Sequence, residues 1–273
     1  MPFRIHSHAN GSHTLVDEEN GQAMHSRIGP RLEANLVYAA RARIEERLSA
    51  APDYTLYDVG LGTGSNVTAT LDRIRATPAA RGRLRIFSFE TKPDGLGAAL
   101  ANLGDFPELA DWAGPLEDLF RKSAADFRVG DVDVEWRLLV GDFYARMSEA
   151  PPPDDLFFDF YSPKIVPELW SYSAFARIRE KIGERDARLF TYSAATPVRV
   201  HLFAAGFFVG AGVSTGVKSE TTIAATRPGL LESPLSKEWL RKLETSASVA
   251  GPRFDELKIR VLNHPQWKLH SAN

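Results

Sequence analysis

Four carboxylates stand where alternating strands and helices can put them to chemical use: Asp58, Glu90, Asp142 and Asp159. Each lies at or near the end of a short apolar run. Asp58 comes just before Gly60, Gly62 and Gly64, which are spaced Gly-x-Gly-x-Gly. A turn of this kind lets the backbone pass close to a ligand, and a helix opening near Asn66 offers it unpaired N–H groups. Ser65 occupies the position that a nicotinamide site fills with its third glycine. An acidic residue ahead of the first glycine suits the S-adenosylmethionine turn better. A plain strand–helix turn uses the same glycines, so the triplet gains weight only alongside the strand ends downstream of it.

Glu90 closes the run Arg-Ile-Phe-Ser-Phe, where its side chain can accept hydrogen bonds from both ribose hydroxyls of a nucleoside. Val-Gly-Asp142-Phe143 brings a carboxylate to an adenine amino group and a ring to the adenine face. Either acid, taken alone, can instead cap the next helix. Asp159 ends the run Phe157-Phe-Asp, a low-dielectric setting in which an unpaired charge is expensive. Its carboxylate either accepts backbone N–H bonds in the Ser162-Pro163 turn or holds an amine of the substrate, the cofactor or both. Ligands of doubly wound sheets lie across the carboxyl ends of the strands. Four such ends in this order point to S-adenosylmethionine.

Those ends need a parallel sheet to hold them. The pattern predicts strands at 56–59, 84–89, 135–140, 156–160, 188–192, 207–212 and 221–225. Helices fill the gaps, notably 167–182 and 197–205, and the helix after the glycine turn carries Val67, Leu71 and Ile74 inward. The last two strands are expected to form an antiparallel hairpin at the sheet edge. The expected architecture is α/β, a Rossmann-like methyltransferase fold with a seven-stranded, mostly parallel sheet and helices on both faces. Residues 1–50 are expected as a hairpin and helix extension, 51–230 as the methyltransferase domain, and 231–273 as a tail packed upon it. Asn10-Gly11 signals the hairpin turn. Residues 31–48 read as one amphipathic helix with Leu32, Leu36, Ala39, Ala40 and Ile44 inward. The tail is expected to hold a helix at 237–243 and then run extended to Asn273.

The 273 residues, 44% hydrophobic, suffice for one large core. There is no cysteine, which removes disulfides, thiolate catalysis and sulfur-held metals. No apolar run reaches the roughly 18 residues of a membrane span, and the first residues carry no secretory pattern, so the expected home is the cytoplasm. His6, His8 and His13 crowd together, but no carboxylate completes a metal site, and no metal is expected. The net charge of −2 speaks against broad capture of nucleic acid. Arg177, Arg179, Lys181, Arg185 and Arg188 are expected to form a solvated helix face, as are Arg241, Lys242, Lys258 and Arg260.

The chain also resembles the tRNA 5-methylaminomethyl-2-thiouridine-forming methyltransferases, over most of residues 8–230. The resemblance rests on Gly11-Ser-His-Thr-Leu15, on Gly21 with His25-Ser26, on Asp58–Asn66, on Phe158-Asp-Phe-Tyr-Ser-Pro-Lys164 and on Pro167-Glu-Leu-Trp170. It implies a stand-alone methyltransferase without the oxidase half of the bifunctional enzyme. The reaction implied is methyl transfer from S-adenosylmethionine to the amine of 5-aminomethyl-(2-thio)uridine at the wobble position, with the tRNA anticodon region as partner. The cofactor set is then Asp58, Gly60, Gly62, Gly64, Asn66, Glu90, Asp142 and Phe143. The resemblance places Asp159 at the amine, as the catalytic residue. It puts His25 and Ser26 near the site, with Phe160, Tyr161 and Ser162 on the substrate side. Phe160, Tyr161 or Trp170 can stack on a splayed base, although Trp170 equally suits a core. Phe160 and Tyr161 stand where the family has a small residue and then phenylalanine. The segment 216–222 is less basic than in the family. Two alternatives remain: a methyltransferase for a small-molecule or peptide amine, and a non-catalytic module that binds the cofactor or a partner.

Overall fold

The computed structural model describes residues 3–19, 21–216 and 219–268. An N-terminal hairpin comes first, β1 (Phe3–Ser7) against β2 (His13–Asp17), antiparallel with Phe3 opposite Asp17. At its turn, Asn10 Oδ1 accepts from the Ser12 N–H at 3.1 Å, and Gly11 takes φ 81°.

The expected single helix over 31–48 is broken in two ways. Helix α1 (Pro30–Ala34) runs into a π-helical turn at Asn35–Ala39, then α2 (Ala40–Ala42). Arg43, in the left-handed region at φ 51°, then separates α3 (Ile44–Ala50). The wide turn rotates the buried face, so Val37, Tyr38 and Ala39 are all buried in succession. Leu32, expected inward, is 49% exposed, while Ala39 and Ile44 are buried as expected.

The main sheet has eight strands in the order β5-β6-β4-β3-β7-β8-β10-β9. Its parallel centre comprises β3 (Asp53–Val59), β4 (Arg81–Glu90), β6 (Asp131–Val140), β7 (Asp155–Phe158) and β8 (Arg188–Thr191). β9 (Phe208–Ala211) and β10 (Thr222–Ala225) form the expected antiparallel edge pair. The strand beyond the expected seven is β5 (Ala124–Val129), which turns at Gly130 and pairs antiparallel with β6. Its burial is interrupted along its length, so it shows no continuous apolar run.

Helices α4 (Ser65–Arg75), α5 (Asp94–Ala101), α6 (Ala113–Lys122), α7 (Phe143–Arg146), α8 (Tyr172–Ile182) and α9 (Thr196–Ala204) cover the two faces. One core holds Leu56, Val67, Leu71, Ile86 and Trp136. The other holds Tyr57, Phe89, Phe143, Phe158 and Trp170. Each such side chain contributes about 1.5–3 kcal/mol by leaving water. The predicted helix over 167–182 is a 3₁₀ turn at Pro167–Trp170 followed by α8. Ser171 caps α8, its hydroxyl accepting from the Ala174 N–H.

The tail is more helical than expected. After the turn and short helix α10 (Lys242–Thr245) comes α11 (Asp255–Leu262), not extended chain. Gln266 fixes its end by bonding the Val209 N–H and the Val209 and Leu235 carbonyls. Residues 269–273 lie outside the described residues, as do Val217 and Lys218 of the segment 216–222. Among the described residues no helix is long and apolar enough to cross a membrane.

The basic cluster also divides. Arg188 lies on β8, not on a helix face, buried in an ion pair with Asp155 that Tyr54 joins. The Arg177 guanidinium donates to the Tyr144 carbonyl, and Arg185 pairs with Asp154.

Candidate functional site

The carboxyl ends of β3, β4, β6 and β7 converge, and the glycine turn after β3 lies among them. Gly60, Gly62 and Gly64 take φ of 92°, 55° and 88°. A Cβ on Gly60 would sit 2.5 Å from the Asp159 carbonyl oxygen, so only glycine lets β3 and β7 leave the sheet side by side. Gly62 is open, with the Met24 sulfur 3.7 Å from such a Cβ.

Asp58 is fully buried. Its Oδ2 accepts from the Ser88 hydroxyl at 2.7 Å, and Ser88 accepts from Trp136 Nε1 at 2.9 Å. Its other oxygen is buried without a partner. Burial pushes this carboxyl up to about 8, the Ser88 hydrogen bond opposes the shift, and the charges of Asp159 and Glu90 add to it. Glu90 Oε2 accepts from the Gly62 N–H at 3.2 Å, and Oε1 from the Thr91 N–H at 2.8 Å. Burial raises its proton affinity too, against these bonds. The second strand end and the glycine turn are thus tied together.

From α4, Asn66 Nδ2 donates to Asp159 Oδ2 at 2.8 Å, while Asn66 Oδ1 is buried and unpartnered. Asp142 caps α7, its Oδ1 accepting from the Ala145 N–H at 2.8 Å, which is the capping use open to it from the sequence. Phe143 departs from expectation. It is 2% exposed, with its ring 4.8 Å from both Phe89 and Tyr144, because the first turn of α7 packs into the second core.

The N-terminal hairpin covers the crevice. The Tyr161 hydroxyl donates to Asp17 at 2.7 Å, and Gln22 donates to the Ser162 hydroxyl at 3.3 Å. The Met24 N–H bonds Leu15, the His25 N–H bonds the Thr14 hydroxyl, and the Ser26 N–H bonds Glu33 Oε2 at 2.7 Å. The Ser26 hydroxyl and His25 Nδ1 are buried without partners. Burial, reinforced by His8, lowers His25 to about 4, so this imidazole is neutral near pH 7. Phe160 packs against Phe158 at 5.1 Å, and its carbonyl accepts from the Tyr192 hydroxyl at 2.9 Å. Trp170 is a core residue, 1% exposed, and donates to the Tyr161 carbonyl.

The sequence reading missed Tyr38, Tyr192 and Glu33. Tyr38 and Tyr192 are both held protonated by burial and then by the charge of Asp159, with Glu33 adding to each. One signal was available: a tyrosine within an otherwise apolar helical face. The histidines of the hairpin crowd as expected, the His6 and His8 rings 5.1 Å apart. Among the described residues no group of three potential ligands is placed to hold a metal. A cavity of about 460 Å³ lies elsewhere, between Ile28–Leu32 and α4, and shares no strand-end residue with this site.

The arrangement fits S-adenosylmethionine on a physical criterion. One buried oxygen each of Asp58 and Asn66 has no partner, as polar atoms that face a bound ligand lack one until it binds. A family model for S-adenosyl-L-methionine-dependent methyltransferases matches residues 108–227. The tRNA 5-methylaminomethyl-2-thiouridine biosynthesis bifunctional protein MnmC of Caulobacter vibrioides is 30% identical over 214 residues, 77% of this chain and 36% of that protein. Its namesake from Ralstonia nicotianae is 31% identical over 229 residues, 78% of this chain and 34% of that protein. The chain thus spans about a third of the length of these curated relatives. The crystal structure of MNMC2 from Aquifex aeolicus superposes with a TM-score of 0.69 at 24% identity, covering 95% of this chain and 83% of that one.

Proposed function

We propose that this chain, which matches S-adenosyl-L-methionine-dependent methyltransferases over residues 108–227, methylates the aminomethyl nitrogen of 5-aminomethyl-(2-thio)uridine at the tRNA wobble position. When bound, the cofactor supplies an electrophilic methyl group on a sulfonium. The carboxylates of Asp58 and Glu90 and the amide of Asn66 accept its amino and ribose hydrogens, and the backbone of Gly60, Gly62 and Gly64 gives it room. Asp142 accepts from the adenine amino group. Residues 51–230 form the methyltransferase domain, 1–50 its cover, and the described part of 231–273, through residue 268, braces its second core.

One observation carries the acceptor side. Asp159 lies at the end of β7, held by Asn66 and in the field of Asp58. A carboxylate so placed orients an amine and takes its proton. The bound cofactor would supply the methyl carbon to the acceptor nitrogen, the C–S electron pair returning to sulfur, while these residues hold the nitrogen in line. The proton left on nitrogen passes to Asp159 and on to water. Holding the reactants in line supplies much of the rate, for which roughly 7–11 kcal/mol is available from orientation. His25, Ser26, Tyr161 and Ser162 border the acceptor, with the ring of Phe160 beside them. The cations Arg27, Lys92 and Lys164 on the site loops suit a phosphate backbone.

A second reading is methylation of a small-molecule or peptide amine, favoured by the net charge of −2. Mass spectrometry of tRNA nucleosides from cells with and without this protein separates the two. Loss of the 5-methylaminomethyl nucleoside, with its unmethylated amine accumulating, supports tRNA. Identical nucleosides in both cell lines refute it.

A further inference from the structure

Tyr38 belongs to no glycine turn, strand end or acidic motif, yet three independent features direct it at the acceptor. It sits on the π-helical turn Asn35–Ala39, a distortion that recurs at functional sites. Its ring lies 5.3 Å from that of Phe157, two residues ahead of Asp159. Strand alternation sets residues 157 and 159 on one face, and the Asp159 N–H continues the ladder to Val59, so the tyrosine reaches along the row that ends in the carboxylate. Tyr38 is 1% exposed, and its hydroxyl is buried without a partner at full hydrogen-bond geometry. Buried polar groups in folded proteins are nearly always paired, and the exceptions call for an explanation such as an absent ligand.

Several neighbouring donors are committed, although Asn66 Oδ1, the Ser26 hydroxyl and His25 Nδ1 also stay unpartnered. Asn66 Nδ2 donates to Asp159 Oδ2, the Tyr192 hydroxyl to the Phe160 carbonyl, and the Ser26 N–H to Glu33. The Tyr38 hydroxyl keeps its lone pairs for a newcomer and its proton for Asp159, whose carboxylate it approaches. Burial and the charge of Asp159 keep this phenol neutral, so it acts as donor and acceptor, never as a base.

We propose that Tyr38 is a second catalytic residue: its hydroxyl accepts an N–H of the incoming amine and donates to Asp159, turning the nitrogen lone pair toward the methyl carbon. This inference rests on the amine-methylating function proposed above. A ring alone leaves the amine free to rotate about its C–N bond. The hydroxyl removes that freedom without altering cofactor binding.

The test is Tyr38→Phe, which deletes only the hydroxyl oxygen. With bulk tRNA lacking the modification as acceptor, kcat falls about a hundredfold, the loss typical of one preorganised donor. KM for the cofactor, the affinity for S-adenosylhomocysteine by calorimetry, and Tm stay at wild-type values. Tyr57→Phe is the control, since that hydroxyl is spent on the Pro151 carbonyl at 2.7 Å, and it keeps full kcat. A Tyr38→Phe protein at wild-type rate overturns the inference. So does one that loses cofactor affinity, Tm or its fold along with activity, because the hydroxyl is then structural. If the wild-type protein binds cofactor but methylates neither tRNA nor a panel of primary amines, the proposed function falls and this inference with it.

Discussion

At the residue scale, two carboxylates behave in opposite ways. Asp159 is the acceptor's partner: Asp159→Ala should leave cofactor binding in place and cut methyl transfer at least about a hundredfold, read by labelled-methyl incorporation. An unchanged rate removes it from the mechanism. Asp58 is a stored proton. Its carboxyl is raised from 3.8 to about 8, mainly by burial. A raised folded value means its contribution to stability is full below about pH 4 and is lost as pH rises through 8. A cationic cofactor beside it reverses that preference. Binding between about pH 6 and 7 should therefore release close to one proton, falling to about half at pH 8, and affinity should rise with pH by at most about tenfold per unit. Calorimetry in two buffers of different ionisation enthalpy measures this, and no buffer dependence would count against it. Asp58, Glu90, Asp142 and Asp159 were legible because a run of apolar residues ending in an acid marks a strand end. Phe143 was misjudged because a ring after such an acid serves a core equally well, and packing with Phe89 and Tyr144 decided it.

At the element scale, the glycine turn makes two roles separable. Gly60 is confined by the Asp159 carbonyl, so Gly60→Ala should cost about 2–4 kcal/mol of stability, seen as a lowered denaturant midpoint. A Cβ on Gly62 would meet only the Met24 sulfur, at ordinary contact distance and in the left-handed region, so Gly62→Leu should still fold, at a cost of about 1–2 kcal/mol, yet fail to saturate with cofactor in a calorimetric titration. Saturation at wild-type affinity would contradict that placement. The parallel core of the sheet was readable from strands buried on both faces, such as β7 and β8. β5 was not, since a partly exposed edge strand carries no such run. The π turn was also hidden. Its residues Asn-Leu-Val-Tyr-Ala suit a regular helix, and only tertiary packing rotates Val37 and Tyr38 inward together. The tail's later helix was missed for a similar reason, as α11 buries little beyond Val261 and shows a weak apolar stripe.

At the scale of the whole molecule, the N-terminal hairpin closes the crevice that the sheet opens. Its side-chain ties to the end of β7, Tyr161 to Asp17 and Gln22 to Ser162, are polar and partly exposed, and such contacts open and reclose easily. Tyr161→Phe should loosen the cover, raising KM for the acceptor several-fold with the cofactor affinity held, and should speed protease cutting within the hairpin. Equal cutting of both proteins would show that the tie does not hold the cover. The hairpin was legible from Asn10-Gly11, but its position over the site was not, because long-range docking leaves no local pattern.

The central claim is that one crevice, at the ends of β3, β4, β6 and β7, holds the methyl donor and faces it toward Asp159. A crystal grown with S-adenosylhomocysteine tests this most directly. The account predicts density across the glycine turn, with the ribose on Glu90, the adenine near Asp142 and the sulfur toward Asp159 and Tyr38. Density in another cavity, or a ribose away from Glu90, would contradict it.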